Sequence, residues 1–234
     1  MLFLGSLIFN ILLYSSLPVI CALILILYPL CSPKRLSKIA SIWISFILFS
    51  LKLFCGINWE IEGASNIPKT PVIIVANHQG QWESLFLQTI IHPISTIIKK
   101  ELLYIPFFGW ALAFMGPIPI NRKNKIQSLR RVQTEAIKRI DSGFSVLIFP
   151  EGTRVKPKKG IGDFSNSCGY ISAKYDVPIL PICHDSGKYW VNKEFIKRPG
   201  TVKIKIGPLF AGGSSKELTQ RVRSWINDEY LNMG

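Results

Sequence analysis

The stretch PVIIVANHQGQWESLFLQTII, residues 71–91, determines the fold class that the sequence predicts. Its first six residues, 71–76, are apolar and rich in β-branched side chains, which is typical of a buried strand. Residues 83–91 have the length and composition of a helix. A chain in which such strands alternate with helices is typical of an α/β domain.

The same alternation continues towards the C-terminus. Further strands are predicted at residues 95–98, 118–120, 144–149, 177–183 and 201–206. Further helices are predicted at residues 124–140, at 168–175, and after a capping box formed by Ser214 and Glu217. We therefore predict an α/β domain over residues 58–234.

The composition limits the class of protein and its partners. A chain of 234 residues allows one substantial domain but not two large ones. Charged residues make up 18%, below the roughly 25% typical of soluble domains, and hydrophobic residues make up 48%, which excludes a disordered chain. The net charge of +14 predicts anionic partners such as phosphate ligands or acidic membrane lipid. Charge alone is weak support for nucleic-acid binding and no recognised motif accompanies it, so we predict no nucleic-acid partner.

Cysteines and histidines indicate neither a disulfide framework nor a metal site. The five cysteines include no CxxC pair, so we expect reduced packing residues in a protein that faces the cytosol. His78, His92 and His184 have no zinc-ligand spacing, and we predict neither metal nor cofactor. We interpret His92 as structural. His184 lies at the end of a strand, and we favour a position away from the site over one at its border.

Residues 1–57 differ from the rest of the chain. The first charged residue is Lys34, and the apolar run before it would be about 50 Å long as a helix, against a bilayer core of about 30 Å. Pro18 and Pro29 are expected to kink or end that helix. A second apolar run at residues 39–57 contains one lysine. We predict that 1–57 are membrane-associated hydrophobic helices.

Three interpretations of this segment remain open. A cleaved signal peptide fits poorly, because no positive region precedes the apolar run. One or two spanning helices are a second interpretation, although the apolar run before Lys52 is short for a span. We favour a helical hairpin in one leaflet, with a basic turn (Lys34, Arg35 and Lys38) at anionic head groups on the cytoplasmic side.

The turn after the first strand carries a candidate catalytic pair. His78 and Glu83 are five residues apart across a turn into a helix, so the carboxylate can fold back onto one imidazole nitrogen. The other nitrogen is then free to accept a proton, and such a pair suits activation of a substrate hydroxyl. The alternative is a solvated loop histidine.

Two further strand ends carry candidate phosphate ligands. In the segment FPEGTR, residues 149–154, Gly152 allows close approach of a ligand and Arg154 offers a fork that matches phosphate oxygens. Lys99 and Lys100 end another strand, so at most one of them points into the site. The segment GPIPINR, residues 116–122, offers a second arginine. The alternative for all of these charges is a solvated rim.

Together these segments resemble the glycerolipid acyltransferases, in particular the 1-acylglycerol-3-phosphate acyltransferases. The resemblance covers about residues 58–210, and four blocks match in order. NHQGQWE (77–83) corresponds to the family's NH-x4-D block, and KKEL (99–102) with Arg122 corresponds to its K-x-E-L block and the arginine that follows it. FPEGTR (149–154) is an intact match, and VPILP (177–181) corresponds to V-P-I-x-P. Two departures are Glu83 in place of the usual aspartate and Asn121 in place of the aspartate common before the arginine.

The resemblance implies a fold and an activity. The fold would be a single acyltransferase domain with a mixed central sheet flanked by helices, preceded by the hydrophobic hairpin. The activity would be transfer of a fatty acyl group from acyl-carrier protein or coenzyme A to the sn-2 hydroxyl of 1-acylglycerol-3-phosphate, giving phosphatidic acid at a membrane. His78 would be the general base, Glu83 its partner, and the substrate-binding residues would be Lys99, Arg122, Glu151, Gly152, Thr153 and Arg154.

Two alternatives stay open within the same fold. The acceptor could be another lysophospholipid with a different head group. The chain could also be an inactive lipid-binding protein, although the intact His78 and FPEGTR block argue against this interpretation.

Overall fold

The central feature of the computed structural model, which describes residues 2–121 and 124–233, is one mixed sheet. Its strands are β1 (Ile57–Glu62), β2 (Ile73–Ala76), β3 (Ile94–Lys99), β4 (Ile118–Ile120), β5 (Ser145–Ile148), β6 (Ile179–His184) and β7 (Gly200–Ile206). Their order across the sheet is β1-β7-β6-β2-β5-β3-β4. The strands from β6 to β4 run parallel, whereas β7 is antiparallel to β6 and parallel to β1. The predicted mixed sheet is confirmed.

Helices cover both faces of this sheet. They are α1 (Leu2–Leu27), α2 (Pro33–Cys55), α3 (Trp82–Ile90), α4 (Phe108–Phe114), α5 (Lys125–Asp141), α6 (Ser167–Tyr175) and α7 (Ser215–Leu231). The alternation along β2 explains the layers, because successive strand side chains point to opposite faces. Ile74 and Ala76 pack on the side of α2 and α3, whereas Ile73 and Val75 pack on the side of α5, α6 and α7.

Two elements were missed by the sequence analysis. Strand β1 lies at the sheet edge with both glutamates of its INWEIE sequence exposed, and it pairs with β7, which follows far along the chain. A parallel pair between strands so distant in the chain has no connecting hairpin turn that the sequence could indicate. Helix α4 has only seven residues, too few for a helical period to stand out from its apolar surroundings.

The two N-terminal apolar helices pack on each other as a hairpin. Helix α1 ends before Pro29 and continues through Pro18, so of the two prolines that were expected to kink or end it, Pro18 does not end it. Phe9 and Ile20 are buried on either side of the proline, and this tertiary packing holds both halves in place. The Trp43 indole N–H of α2 donates a 3.0 Å hydrogen bond to the Ser16 hydroxyl of α1.

Helix α2 is apolar on two opposite sides. Its inner side, including Ile44, Ile47 and Leu51, is buried in the same core as β1 and β2. Its outer side exposes Ile42 and Phe46. By length and composition α1 and α2 could each cross a bilayer, yet the inner side of α2 packs on the sheet. The boundary at residue 57 between a hydrophobic N-terminal part and an acyltransferase domain stays a prediction. The composition of the chain changes there, but residues on both sides of it belong to one hydrophobic core.

Substitutions on the two sides of α2 are expected to differ in their effect on stability. Ile47→Ala empties a fully buried position and should lower the free energy of unfolding by about 2–5 kcal/mol. Ile42→Ala is the matched control, because Ile42 is 63% exposed, and should change that free energy little. Denaturant unfolding in detergent measures both. Equal stabilities would mean that the hairpin does not share the core of the domain.

Candidate active site

Three parallel strands bring the predicted residues to one edge of the sheet. His78 follows β2, residues 149–154 follow β5, and Lys99 ends β3. Because β2, β5 and β3 are parallel neighbours, their C-terminal ends lie side by side. Ligands of open α/β sheets bind at this edge.

His78 and Glu83 form the predicted pair. Glu83 lies in the first turn of α3 and is fully buried, and its Oε1 is 2.8 Å from His78 Nδ1. The same oxygen accepts hydrogen bonds from the backbone N–H groups of Gln79 (2.9 Å) and Gly80 (2.7 Å). The turn between strand and helix therefore wraps around the carboxylate, and the longer glutamate reaches the imidazole.

The electrostatics of the pair fix the tautomer of His78. Burial raises the pKa of Glu83, but the hydrogen bond from His78, electrostatic interaction with the His184 and His78 rings, and the Gly80 N–H outweigh it and lower the pKa to about 2. The ionised carboxylate only accepts hydrogen bonds, so neutral His78 carries its proton on Nδ1. Its Nε2 then has a free lone pair, and the described part of the chain gives Nε2 no hydrogen bond.

A second layer of polar residues supports Glu83 from behind. The Ser186 hydroxyl donates a 3.0 Å hydrogen bond to Glu83 Oε2, and its oxygen also lies 3.1 Å from His184 Nδ1. His184 Nε2 donates to the Asn77 carbonyl at 2.8 Å. Burial lowers the pKa of His184, which agrees with a neutral ring whose Nδ1 accepts from the Ser186 backbone N–H at 3.4 Å. His184 thus supports the site from the interior rather than lining it.

The FPEGTR segment encloses His78. The Phe149 ring is stacked on the imidazole, with ring centres 4.1 Å apart. The Val155 N–H donates to the His78 carbonyl at 2.8 Å, which ties the end of this segment to the turn after β2. Gly152 has a φ of 66°, and a Cβ placed there would have open space around it, so backbone conformation rather than crowding requires the glycine.

A cationic rim borders the site. Lys99, Thr153 and Arg154 line the same cavity as His78, whereas Lys100 lines a separate recess. The prediction that at most one of the two lysines enters the site is therefore confirmed. Arg122 lies outside the described residues.

Asn192 and Lys193 were missed by the sequence analysis. Arg154 donates a 2.9 Å hydrogen bond to the Asn192 side chain, and Lys193 also lines the cavity. Their loop precedes β7 and carries no motif, so only its folding back over the FPEGTR segment reveals them. Ser186 was missed as well, although its position just after β6 was a usable signal.

Glu151 is half-buried, and both of its carboxyl oxygens are shielded from solvent without a hydrogen-bond partner among the described residues. Burial raises its pKa to about 7, and the charge of Glu83 adds to this effect. The backbone N–H groups of His78 and Gly162 face it and lower the pKa only in part. A carboxyl group in this state can donate or accept a hydrogen bond at neutral pH.

The cavity has a volume of about 1310 Å³, and both polar and apolar side chains line it. The polar groups include His78, Glu151 and Arg154. The apolar lining includes Leu102, Phe108, Leu112, Met115, Ile120 and Val132. Such a cavity suits a ligand with an anionic head and a long apolar chain. Among residues 2–121 and 124–233, no group of three or more acidic, cysteine or histidine side chains could hold a metal ion.

Comparison with known proteins agrees with this geometry. Residues 58–185 match the model of the Acyltransferase family. A 1-acyl-sn-glycerol-3-phosphate acyltransferase of Pseudomonas aeruginosa is 38% identical over 80% of this chain and 74% of its own length. A chloroplastic enzyme of that name from Arabidopsis thaliana is 32% identical over 80% of this chain, which spans 52% of that relative. The crystal structure of the 1-acyl-sn-glycerophosphate (LPA) acyltransferase PlsC from Thermotoga maritima has the same fold, with a TM-score of 0.80, 24% identity, and coverage of 98% of this chain and 94% of that chain.

The lowered pKa of Glu83 predicts how stability depends on pH. Its folded-state pKa of about 2 lies below the ordinary 4.5, so its contribution is complete above pH 4.5 and is lost as the pH falls towards 2. Glu83→Gln should flatten the fall in stability across this window, and Glu60→Gln, at an exposed glutamate of β1, is the control. Denaturant unfolding from pH 6 to pH 2 measures the slopes. An unchanged slope in Glu83→Gln would contradict a stabilised carboxylate.

Proposed function

Since the chain belongs to the acyltransferase family, we propose that it transfers a fatty acyl group to the sn-2 hydroxyl of 1-acylglycerol-3-phosphate, giving phosphatidic acid. The protein is an acyltransferase, and its lipid substrate agrees with a cavity that joins a cationic rim to an apolar interior. The observation that carries this proposal is the free Nε2 of His78 in a cavity that Arg154, Lys99 and apolar side chains also line. An acceptor with its phosphate at the cationic rim would bring its hydroxyl into that cavity.

His78 acts as the general base in this proposal. Its Nε2 takes the hydroxyl proton while the hydroxyl oxygen attacks the carbonyl carbon of the thioester. The C–S bond then breaks, the thiolate leaves, and the imidazolium returns its proton to the thiolate or to solvent. Glu83 stabilises the imidazolium and holds the ring, and general-base catalysis of this kind contributes about 10²–10⁴-fold.

Transfer is direct, without an acyl-enzyme. Cys183 is fully buried, and burial raises the pKa of its thiol well above the usual range, so it is no thiolate at neutral pH. The Ser186 hydroxyl lies behind Glu83 and is held there by hydrogen bonds. The substrate hydroxyl is thus the group that His78 activates.

The cationic rim binds the phosphate of the acceptor. Arg154 supplies the bidentate fork, and Lys99 supplies a second charge. Gly152 and Thr153 belong to the same loop, and Arg122 is included from its match to the family motif. Glu151, with a raised pKa, contacts the acceptor as a partly neutral acid and so repels the phosphate less than an ionised carboxylate would.

The two apolar N-terminal helices indicate a membrane-associated protein. Residues 1–57 would lie in one leaflet as a hairpin, with the acyltransferase domain of residues 58–234 on the cytoplasmic side. The packing of the inner side of α2 on the sheet supports a hairpin in one leaflet, because a spanning helix would carry part of the sheet into the bilayer. The basic turn supports the orientation.

A product assay tests the proposal directly. Purified full-length protein in detergent would be given lysophosphatidic acid with either an acyl-carrier protein thioester or acyl-coenzyme A, and the product mass would be measured. Phosphatidic acid from either donor supports the proposal and identifies the carrier. Turnover only of a lysophospholipid with another head group would reassign the acceptor, and no transfer from any donor would make the chain an inactive lipid-binding protein.

Variants of the catalytic pair should lose turnover without losing the fold. Glu83→Gln keeps the size but removes the charge, so kcat should fall by about 10²–10⁴-fold. Glu83→Asp should retain more activity, although the shorter side chain does not suit a turn that wraps around the glutamate. His78→Ala should be at least as damaging as Glu83→Gln, and the double variant little worse, because the two residues act as a unit. Steady-state kinetics and melting curves of all four variants separate a catalytic role of Glu83 from a helix-capping role. If Glu83 only caps the helix, Glu83→Gln would lower Tm and preserve kcat.

Variants of the rim should act through the phosphate. Arg154→Ala should lower kcat/KM for lysophosphatidic acid by about 10–200-fold, the factor for a charge-assisted hydrogen bond of about 1.5–3 kcal/mol. Arg154→Lys should restore part of the loss, because lysine lacks the planar fork. Lys99→Ala should lower kcat/KM as well, whereas Lys100→Ala is the matched control because Lys100 lines a different recess. Equal losses on a monoacylglycerol without phosphate would reassign Arg154 to a structural role.

A further inference from the structure

The segment of residues 104–113, called here the aromatic segment, exposes a row of large apolar side chains. Tyr104, Ile105, Phe107 and Trp110 are between 45% and 65% exposed. The rings of Phe107 and Trp110 are 5.4 Å apart and form one patch. Soluble proteins rarely expose a contiguous apolar patch that has no function.

The backbone of the aromatic segment is held in one conformation. Phe107 has a φ of 60°, which residues with a Cβ rarely adopt, and strain of this kind persists where the surrounding structure imposes it. Gly109 packs so closely on the preceding turn that a Cβ would lie 2.5 Å from the Leu102 carbonyl oxygen. The exposed rings are therefore presented by a well-packed turn and helix rather than by a loose loop.

The inner side of the same segment forms a wall of the cavity. Phe108 and Leu112 line the cavity, while Phe107 and Trp110 are exposed on the outside. A single short helix and the turn before it thus separate the acyl-binding end of the cavity from the surroundings. Whatever covers the outer side lies next to the place where a lipid chain has to enter.

The outer side continues the apolar surface of the hairpin. Helix α4 packs against the C-terminal half of α1, where Ala111 joins the cluster of Ile20 and Ile24. The Phe114 ring is stacked on Tyr28, with ring centres 3.9 Å apart. The same half of α1 and the turn after it also expose apolar residues, namely Val19, Leu23, Ile26 and Leu30. The hairpin thus packs directly on the helix of the aromatic segment, both expose apolar side chains, and the basic turn follows Leu30.

We propose that the aromatic segment is a second lipid-inserting element, which seats the wall of the cavity in the same leaflet as the hairpin. Aromatic side chains are favoured at the membrane interface, where their apolar bodies lie among the acyl chains near the head groups. The segment acts in delivery of the acceptor, whose acyl chain passes from the leaflet into the cavity beside α4. This role rests on the proposed lysolipid activity, whereas insertion itself does not.

Depth-dependent fluorescence quenching tests insertion without an activity assay. The full-length protein is bound to phosphatidylglycerol–phosphatidylcholine vesicles that carry bromine at different depths of the acyl chains. The chain has six tryptophans, so the contribution of Trp110 is the difference between wild type and Trp110→Phe. That difference should be quenched most by bromine near the head groups. Trp225→Phe is the matched control, because Trp225 packs on the opposite face of the sheet, and its difference should show no quenching.

A kinetic arm tests delivery. The double variant Phe107→Ser/Trp110→Ser should lose about tenfold in rate on vesicle-bound lysophosphatidic acid, as expected for removal of apolar side chains from lipid, and should match wild type on a short-chain acceptor dissolved in water. If the double variant fails to fold, the quenching of Trp110 still decides the proposal. Equal losses on both acceptors would contradict a delivery role.

Three results separate the possible failures. Trp110 fluorescence that no brominated lipid quenches in vesicle-bound protein would overturn the proposal. A wild-type dimer that Phe107→Ser/Trp110→Ser converts to a monomer, measured by light scattering, would overturn it in favour of an interface between two copies. Absence of phosphatidic acid in every assay, with Trp110 still quenched, would overturn the proposed function and leave the lipid-inserting element intact.

Discussion

The structure around the site depends on a buried negative charge. Glu83 is fully buried, and a carboxylate in the interior is costly unless several donors satisfy it. Its two oxygens lie within hydrogen-bond distance of the His78 ring, two backbone N–H groups and the Ser186 hydroxyl. To supply these donors the chain after β2 must turn tightly into α3, and the loop after β6 must lie against that turn. The His78–Glu83 pair and the local fold are consequences of the same requirement.

The cavity combines the two properties that a lipid phosphate demands. Arg154 and Lys99 line it and carry positive charge, and apolar side chains such as Leu102, Phe108 and Leu112 line it as well. Glu151 also lines it, and its raised pKa reduces the negative charge that a phosphate would meet. The polar and apolar halves come from different strands and helices, so the sheet edge is what brings them together.

Helix α2 links the membrane-associated part to the domain. One side of the helix completes the core against β1 and β2, and the opposite side is exposed and apolar. Because both sides of α2 are apolar, the chain before residue 57 is more hydrophobic than the chain after it. Because the inner side of α2 packs on the sheet, the hydrophobic core nevertheless continues across residue 57.

The sequence by itself predicted the features that are local. Apolar runs of strand length and apolar residues at helical spacing indicate most strands and helices, because both patterns are set by residues that follow one another in the chain. The spacing of His78 and Glu83 likewise predicted that they lie within one turn. Edge strand β1, the short helix α4 and the passage of α1 through Pro18 were decided by tertiary structure, since each depends on partners distant in the chain. The same holds for Asn192 and Lys193, whose loop carries no motif. The raised pKa of Glu151 was also decided by tertiary structure. Burial causes it, and the carboxyl group is removed from water only once the chain has folded around it.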